Sequence, residues 1–249
     1  LFIKKYNAGE SWGVFDSLRG PNKRLYANDT HAEQTETTMS AFNQGGFRVE
    51  GSGGGSTNDN GDSYVGYCWR AGDHDGNGYW RDGVEYTNKS DLVTGGIASQ
   101  IGAISINTKA GFSMISFGGT AGSADLPHGL GKAPKFVLIK KYSASGNSWA
   151  VYHQYVGAQQ QLLLNSTNGV TSDANGFDAV PDDTVVHLGS GSAMATNQSG
   201  TNIMWAWAEV DGFSRFGFYY GNGDADGPFC YCGFRPALVI CKRADSSAD

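Results

Sequence analysis

Charged residues make up only 17% of the 249-residue chain, proline occupies only six positions, and no stretch reaches the roughly 18 apolar residues that a spanning helix needs. A run of Lys and Arg is missing as well: the formal net charge is −6, with the acids scattered through glycine-rich segments. A phosphate backbone meets no basic stripe here, which argues against nucleic acid as a partner, and nothing is suited to membrane insertion. The start carries no charged-then-apolar leader. It opens instead on Leu1-Phe2-Ile3-Lys4-Lys5-Tyr6, without a methionine and inside a strand-like run, as expected of a processed product or an excerpt of a longer array. The reading is of a soluble chain for which export stays open.

Cysteine is equally sparse. Cys68, Cys230, Cys232 and Cys241 include no CxxC pair, and Cys230 and Cys232, two apart on a strand, point to one face without the geometry of a bridge. Buried free thiols are expected, with a Cys232 to Cys241 bridge closing a hairpin as the rival. The histidines at 31, 74, 128, 153 and 187 stand at no ligand spacing from a cysteine pair, which argues against zinc. Asp73, Asp75 and Asn77 take the first ligand positions of a calcium loop, with Gly78 at its turn, but Val84 stands where the bidentate carboxylate belongs and Glu85 comes one place late. Calcium there competes with plain Asx-turns. No metal site and no cofactor is assigned.

Catalytic signatures are lacking too. The sequence has no G-x-S-x-G elbow, no H-E-x-x-H pair and no phosphate loop. Two carboxylates suffice for glycoside hydrolysis, so Asp182 with Asp183, or Glu209 with Asp211, are the pairs to inspect, although acids in turns are ordinarily solvated. The expectation is a non-enzymatic chain.

What is abundant is glycine, at 37 positions, which places a turn residue every few positions and favours many short strands over helices. Self-similarity decides the rest. Ile139 and Trp149, in Leu138-Ile139-Lys140-Lys141-Tyr142 and Ser148-Trp149-Ala150-Val151-Tyr152, repeat Ile3 and Trp12 at offsets of 136 and 137; Asn165 repeats Asn28 at 137. Each copy continues through a Gly-rich loop into an aromatic run, Tyr64-Val65-Gly66-Tyr67-Cys68-Trp69 and Ile203-Met204-Trp205-Ala206-Trp207. A third, partial copy closes the chain: Gly111-Phe112-Ser113 recurs as Gly212-Phe213-Ser214 at an offset of 101, and residues 131–141 (GKAPKFVLIKK) recur as 233–243 (GFRPALVICKR) at 102.

The pattern predicts an all-β chain of tandem β-sandwich modules, jelly-roll or lectin-like. Residues 1–72 are read as a first module lacking its opening strands, 73–110 as an inserted hairpin or linker, and 111–212 as a second module. Residues 213–249 supply the opening strands of a third copy, which complete the first module or a neighbouring subunit unless the chain is a window on a longer array. Trp12, Trp69, Trp149, Trp205 and Trp207 recur on apolar strands and are assigned to the core. Tyr79, Trp80, Tyr219 and Tyr220 lie beside Gly and Asp, where rings stack on sugar faces and acids bind hydroxyls; these four are the candidate glycan-binding residues.

Several phrases then carry a resemblance: Gly221-Asn222-Gly223-Asp224-Ala225-Asp226-Gly227-Pro228-Phe229 with Gly233-Phe234-Arg235-Pro236-Ala237, His128-Gly129-Leu130-Gly131 with Pro134, and Trp149-Ala150-Val151-Tyr152-His153. Over nearly its whole length the chain resembles repeat modules of tail-fibre-like virion proteins of bacteriophages, especially those from marine settings. The resemblance implies an extended fibre or spike at the virion surface, involved in host attachment; an array of small sandwiches is expected to self-associate, and the four aromatics above make a host-surface glycan the expected ligand. The resemblance carries over no catalytic or ligand residue. Cys230, Cys232 and Cys241 stand where Val, Thr or Ile is expected, in keeping with buried thiols. An extracellular filament or adhesin assembled by strand exchange is the alternative.

Overall fold

In a computed structural model, which describes residues 1–51, 57–72, 78–190 and 196–246, the chain is an all-β sandwich with two three-residue 3-10 turns as its helical content among those residues. No helix of the described residues is long and apolar enough to cross a membrane. The first copy forms β1 (Phe2–Lys5), β2 (Gly13–Asp16), β3 (Gly20–Tyr26), β4 (Gln34–Thr35), β5 (Met39–Asn43), β6 (Gly46–Val49) and β7 (Tyr64–Tyr67). A hairpin follows, β8 (Tyr79–Arg81) and β9 (Val84–Tyr86), whose two-residue turn places both Asp82 and Gly83 at positive φ, the type I′ geometry for which Asp-Gly is suited. The remainder is β10 (Ile101–Asn107), β11 (Phe112–Gly119), β12 (Ala124–Pro127), β13 (Phe136–Lys141), β14 (Ala150–His153), β15 (Gln160–Leu163), β16 (Thr171–Ser172), β17 (Val185–Leu188) and β18 (Gly200–Trp207).

These strands make a stack of layers. A five-stranded sheet runs β4-β3-β2-β1-β7, and a nine-stranded sheet runs β16-β15-β14-β13-β18-β11-β10-β8-β9. The β5–β6 hairpin covers the outer face of the first sheet around Ile3, Phe15 and Met39, and the β12–β17 ribbon covers the far face of the second around Leu126, Val186 and Leu188. Period-two alternation explains how one strand serves two cores. Along β18, Met204 and Ala206 face the ribbon while Ile203, Trp205 and Trp207 face the first sheet. Such strands read as continuous apolar runs, which is the pattern of FVLIKK and NIMWAW in the sequence.

The two copies therefore share a core. Val14, Leu18 and Leu25 of the first pack against Met114, Leu138, Trp149, Trp205 and Trp207 of the second. Trp149, wholly buried, stacks on Trp205 with ring centroids 5.4 Å apart. Its Nε1–H reaches across the layers to the carbonyls of Tyr26 at 2.8 Å and Asp29 at 3.2 Å. The backbone crosses as well: Glu33 N–H donates to the Tyr142 carbonyl at 2.9 Å and Gly146 N–H to the Thr30 carbonyl at 3.0 Å.

The closing segment departs from expectation. Residues 212–246 repeat the sequence of β11 to β13, yet they form no strand, and past an isolated bridge between Val210 and Ser214 they run over the surface. A strand requires a run of neighbouring N–H and C=O groups, and among the described residues no strand lies alongside this segment. The thiols follow it outward: Cys230 and Cys241 are exposed, Cys232 is half-buried, Cys68 is also exposed, and all four are free. The expectation of buried thiols is thus corrected, because the strands that would have buried three of them are not built into a sheet.

Trp149→Ala removes a filled site in the shared layer and two hydrogen bonds across it, and is expected to cost about 3–5 kcal/mol in urea unfolding. Circular dichroism and tryptophan fluorescence should report one coincident transition in the unaltered chain, since neither copy has a core of its own in that layer. Two separated transitions would show independent units.

Candidate functional site

The aromatic residues singled out from sequence fall in two separate places. Tyr79 and Trp80 are strand residues, not loop residues: β8 pairs in parallel with Ile104, Ser105 and Ile106 of β10, and antiparallel with β9. Trp80 is only 5% exposed and Tyr79 packs against the ribbon-side core, so neither offers a free ring face to a sugar. The alternation of a paired strand draws them in, which their Gly and Asp neighbours in sequence do not reveal. Tyr219 and Tyr220 stand on the closing segment, 53% and 83% exposed. The Cys241 thiol, hydrogen-bonded to Tyr219, pushes that phenol's pKa upward.

Around that second pair the structure adds residues that sequence reasoning missed. Tyr155, at the exit of β14, and Phe218 are both exposed, with ring centroids 4.5 Å apart, and Phe218 meets Tyr220 edge-on at 5.5 Å. Tyr155, Phe218 and Tyr220 thus form a row of solvent-facing rings. Its inner end is fixed by Phe216, stacked on Phe136 at 5.6 Å, and by Gln154, whose Nε2 donates to the Phe216 carbonyl at 2.6 Å. The only signal in sequence was the density of aromatics from 213 to 220, a feature equally common in core strands.

One acid of each pair is held in a structural role. One Asp182 carboxylate oxygen accepts from the Thr184 N–H at 2.7 Å, the Thr184 hydroxyl at 2.7 Å and the Val185 N–H at 2.8 Å, which pulls its pKa down to about 2 and closes the turn into β17. Glu209 accepts from the Phe216 N–H at 2.9 Å and steadies the start of the closing segment. His128 is wholly buried; its Nδ1 accepts from the Leu130 N–H at 3.1 Å, so Nε2 carries the proton and donates to the Asp182 carbonyl at 3.1 Å. Burial lowers its pKa and keeps the ring neutral. With both nitrogens engaged it acts as a strut under a concavity of about 500 Å³ lined by Arg81, Asp91, Leu92, Gly129 and Asp183. Arg81 is spent on the same loops, donating to the Leu92 carbonyl at 2.8 Å.

The repeated lysines are used differently in the two copies. Lys5 is buried between Asp59 at 2.8 Å and Asp62 at 2.7 Å, whose hydrogen bonds raise its pKa. In the second copy it is Lys140, the counterpart of Lys4, that is buried: its ammonium donates to the Thr30 carbonyl at 3.2 Å and to the Asn147 carbonyl, joining the layers. Among the described residues no cluster of three or more His, Cys, Asp or Glu is placed to hold a metal ion. Asp73, Asp75 and Asn77, the calcium-loop candidates, lie outside the described residues.

Compared with known families, the chain matches a domain of unknown function, DUF7483, across residues 1–249. It belongs to that family. No curated protein and no solved structure matches it. In this DUF7483 chain Lys140 and His128 tie interior layers and loops together, and an exposed row of aromatic rings stands at the closing segment.

Desolvation lowers the Lys140 pKa to about 8 from 10.5. Between those values the unfolded chain binds a proton that the folded chain has released, so this group's contribution to stability rises with pH across the window, and its full burial cost applies below about pH 8. Stability from urea unfolding across that range should rise in the unaltered chain relative to Lys140→Met, by about 3 kcal/mol at most, solvent screening reducing it. Parallel curves would place the ammonium in solvent.

Proposed function

We propose that the chain is a non-enzymatic structural and adhesion module of a tail-fibre-like fibre at the virion surface, engaged in host attachment. The observation that carries this reading is the contrast between its copies. Two repeats share one indole-filled layer and so give a stiff β scaffold, whereas the third presents its aromatics to solvent. Its interior charges are satisfied by carbonyls and carboxylates of neighbouring layers, an arrangement that serves rigidity rather than proton transfer. Tyr155, Phe218 and Tyr220 present adjoining rings with two hydroxyls, a surface on which the apolar face of a sugar stacks while its hydroxyls find partners. A glycan of the host surface is the ligand this chemistry fits. The unstranded closing segment also favours the second reading, an extracellular filament or adhesin.

Antibodies against the chain are expected to place gold on fibres projecting from virions, and the labelled chain is expected to bind intact host cells. Tyr155→Ala with Tyr220→Ala should weaken cell binding about tenfold or more while leaving the melting temperature nearly unchanged, since both side chains are exposed. Gold confined to cell-associated filaments would move the second reading ahead. Undiminished binding by the variant would remove the aromatic row from recognition.

A further inference from the structure

The two large sheets are built alike, strand for strand, except at one edge. Sequence equates β13 with β1, and each pairs with the aromatic strand of its own copy: Ile139 lies opposite Met204, and Ile3 opposite Gly66. Gly66 in β7 is therefore the counterpart of Met204 in β18, and Tyr67-Cys68-Trp69 of Trp205-Ala206-Trp207. Beyond β18 the second copy has β11, with Ile115 opposite Met204. Beyond β7 the first copy has no strand among the described residues.

Hydrogen-bond parity shows what this edge offers. Tyr6 N–H donates to the Ser63 carbonyl, so in this antiparallel pair Val65 and Tyr67 spend their backbone groups on β1. Tyr64 and Gly66 direct theirs outward. The same parity in the second copy, fixed by the bond from Ala208 N–H to the Gly111 carbonyl, makes Met204 the residue that bonds to β11. The other edges of the two large sheets are blunted: β4 and β16 have two residues each, and β9 has three, one of them Glu85. By contrast β7 reads Tyr-Val-Gly-Tyr, with no charge, no proline and no bulge in its register. That is an edge without the usual protection against pairing.

The sequence that fills this place in the second copy occurs once more in the chain, unpaired. Phe112, Ile115 and Phe117 of β11 recur as Phe213, Phe216 and Phe218. In the chain's own fold this segment leaves β18 beside Phe136, passes Gln154 and Tyr155, and its continuation is tied down at the β16 side, where Val170 N–H donates to the Ala244 carbonyl at 2.7 Å and Lys242 to the Thr167 carbonyl at 2.7 Å. Phe213 and Phe218 are exposed there.

We infer that residues 213–218 of one copy add as an antiparallel strand to the open edge of β7 in a second copy, in the register that sets Phe216 opposite Gly66, Phe218 opposite Tyr64 and Ser214 opposite Cys68. Gly66 supplies the space: a Cβ built there lies 3.7 Å from the ring of Phe47, itself exposed on β6, so Phe216 over the glycine meets an aromatic neighbour. Backbone bonds give the attachment and the alternate phenyl groups its register. Each copy has one donor and one acceptor, which makes the contact head-to-tail and the product a chain of copies or a closed ring. Joining takes Phe216 off Phe136 and its N–H off Glu209, and takes Phe218 from Tyr155, so the aromatic row belongs to a copy whose segment is unjoined. The inference deepens the structural role proposed above by naming how copies join, and rests on that role only for its setting.

Two variants of the 249-residue chain test it by light scattering over a concentration series. Gly66→Pro removes an outward N–H without breaking a bond to β1, and a Cβ at this position has ordinary contact distances around it. Phe216→Pro removes the matching donor. The unaltered chain should grow in mass with concentration, each variant alone should stay a monomer, and an equimolar mixture should form a dimer and nothing larger, because each supplies what the other lacks. In a background with Cys68, Cys230, Cys232 and Cys241 changed to Ser, Val65→Cys in one chain and Gly217→Cys in another should form an interchain disulfide, the pair facing at about 4.5 Å in the inferred register. Monomers at every concentration of the unaltered chain, association unaffected by either proline, or a disulfide formed within a single chain carrying both cysteines would overturn the inference. A monomeric chain that still labels virion fibres would leave the structural reading standing, and head-to-tail association without virion labelling would do the reverse.

Discussion

Between the two large sheets, in one apolar layer, lie two groups of rings: Trp149 stacked on Trp205, and Phe136, Phe112 and Trp69 gathered around Trp207 with Phe2 against Trp69. They bury large apolar areas, and those on β11, β13 and β18 belong to strands whose opposite face is committed to another core. This layer sets the rest of the architecture. Because the indole of Trp149 is anchored to carbonyls of the first copy, and Lys140 to another of them, the sheets cannot slide over each other without leaving buried polar groups unpaired. The repeats are therefore fused into one stack, with the β5–β6 hairpin and the β12–β17 ribbon as its outer covers.

Much of this was legible in the sequence, and the reason is local. The repeat located the strands of both copies, because Ile3 and Ile139, Trp12 and Trp149, and Tyr67 and Trp205 fill the same sites in two sheets of the same order. Glycine and Asp-Gly placed the turns. The five tryptophans assigned to the core all line the shared layer. What sequence did not disclose is which face meets which. A run such as Ile203-Met204-Trp205-Ala206-Trp207 is apolar on both faces, and nothing in it distinguishes the ribbon as the partner of Met204 from the first sheet as the partner of Trp205.

The misplaced residues share one cause. Tyr79 and Trp80 read as loop aromatics because Gly and Asp surround them, but pairing with β10 turned them inward; Cys230, Cys232 and Cys241 read as buried thiols because their spacing offers no bridge and they stand where Val, Thr or Ile is expected, but their segment joins no sheet among the described residues. In both cases local composition was overruled by the presence or absence of a hydrogen-bonding neighbour. A strand is a property of a pair, and sequence describes one member at a time.

That same dependence makes the edge of β7 and the closing segment parts of one problem. Backbone groups at a sheet edge and apolar side chains on an unpaired segment are each hydrated at a cost, and the second copy shows how both are relieved when β11 lies beside β18. The parity of β7 matches that of β18, the order of neighbours is the same up to the missing position, and the spare segment carries Phe where β11 carries Phe, Ile and Phe. Nothing about this complementarity requires the two pieces to lie in one chain, and the tether of the segment to the β16 side holds it away from that pairing within its own fold. A scaffold stiffened by a shared core and joined to its neighbours by the same strand order would propagate its geometry from copy to copy, which is the property a fibre needs.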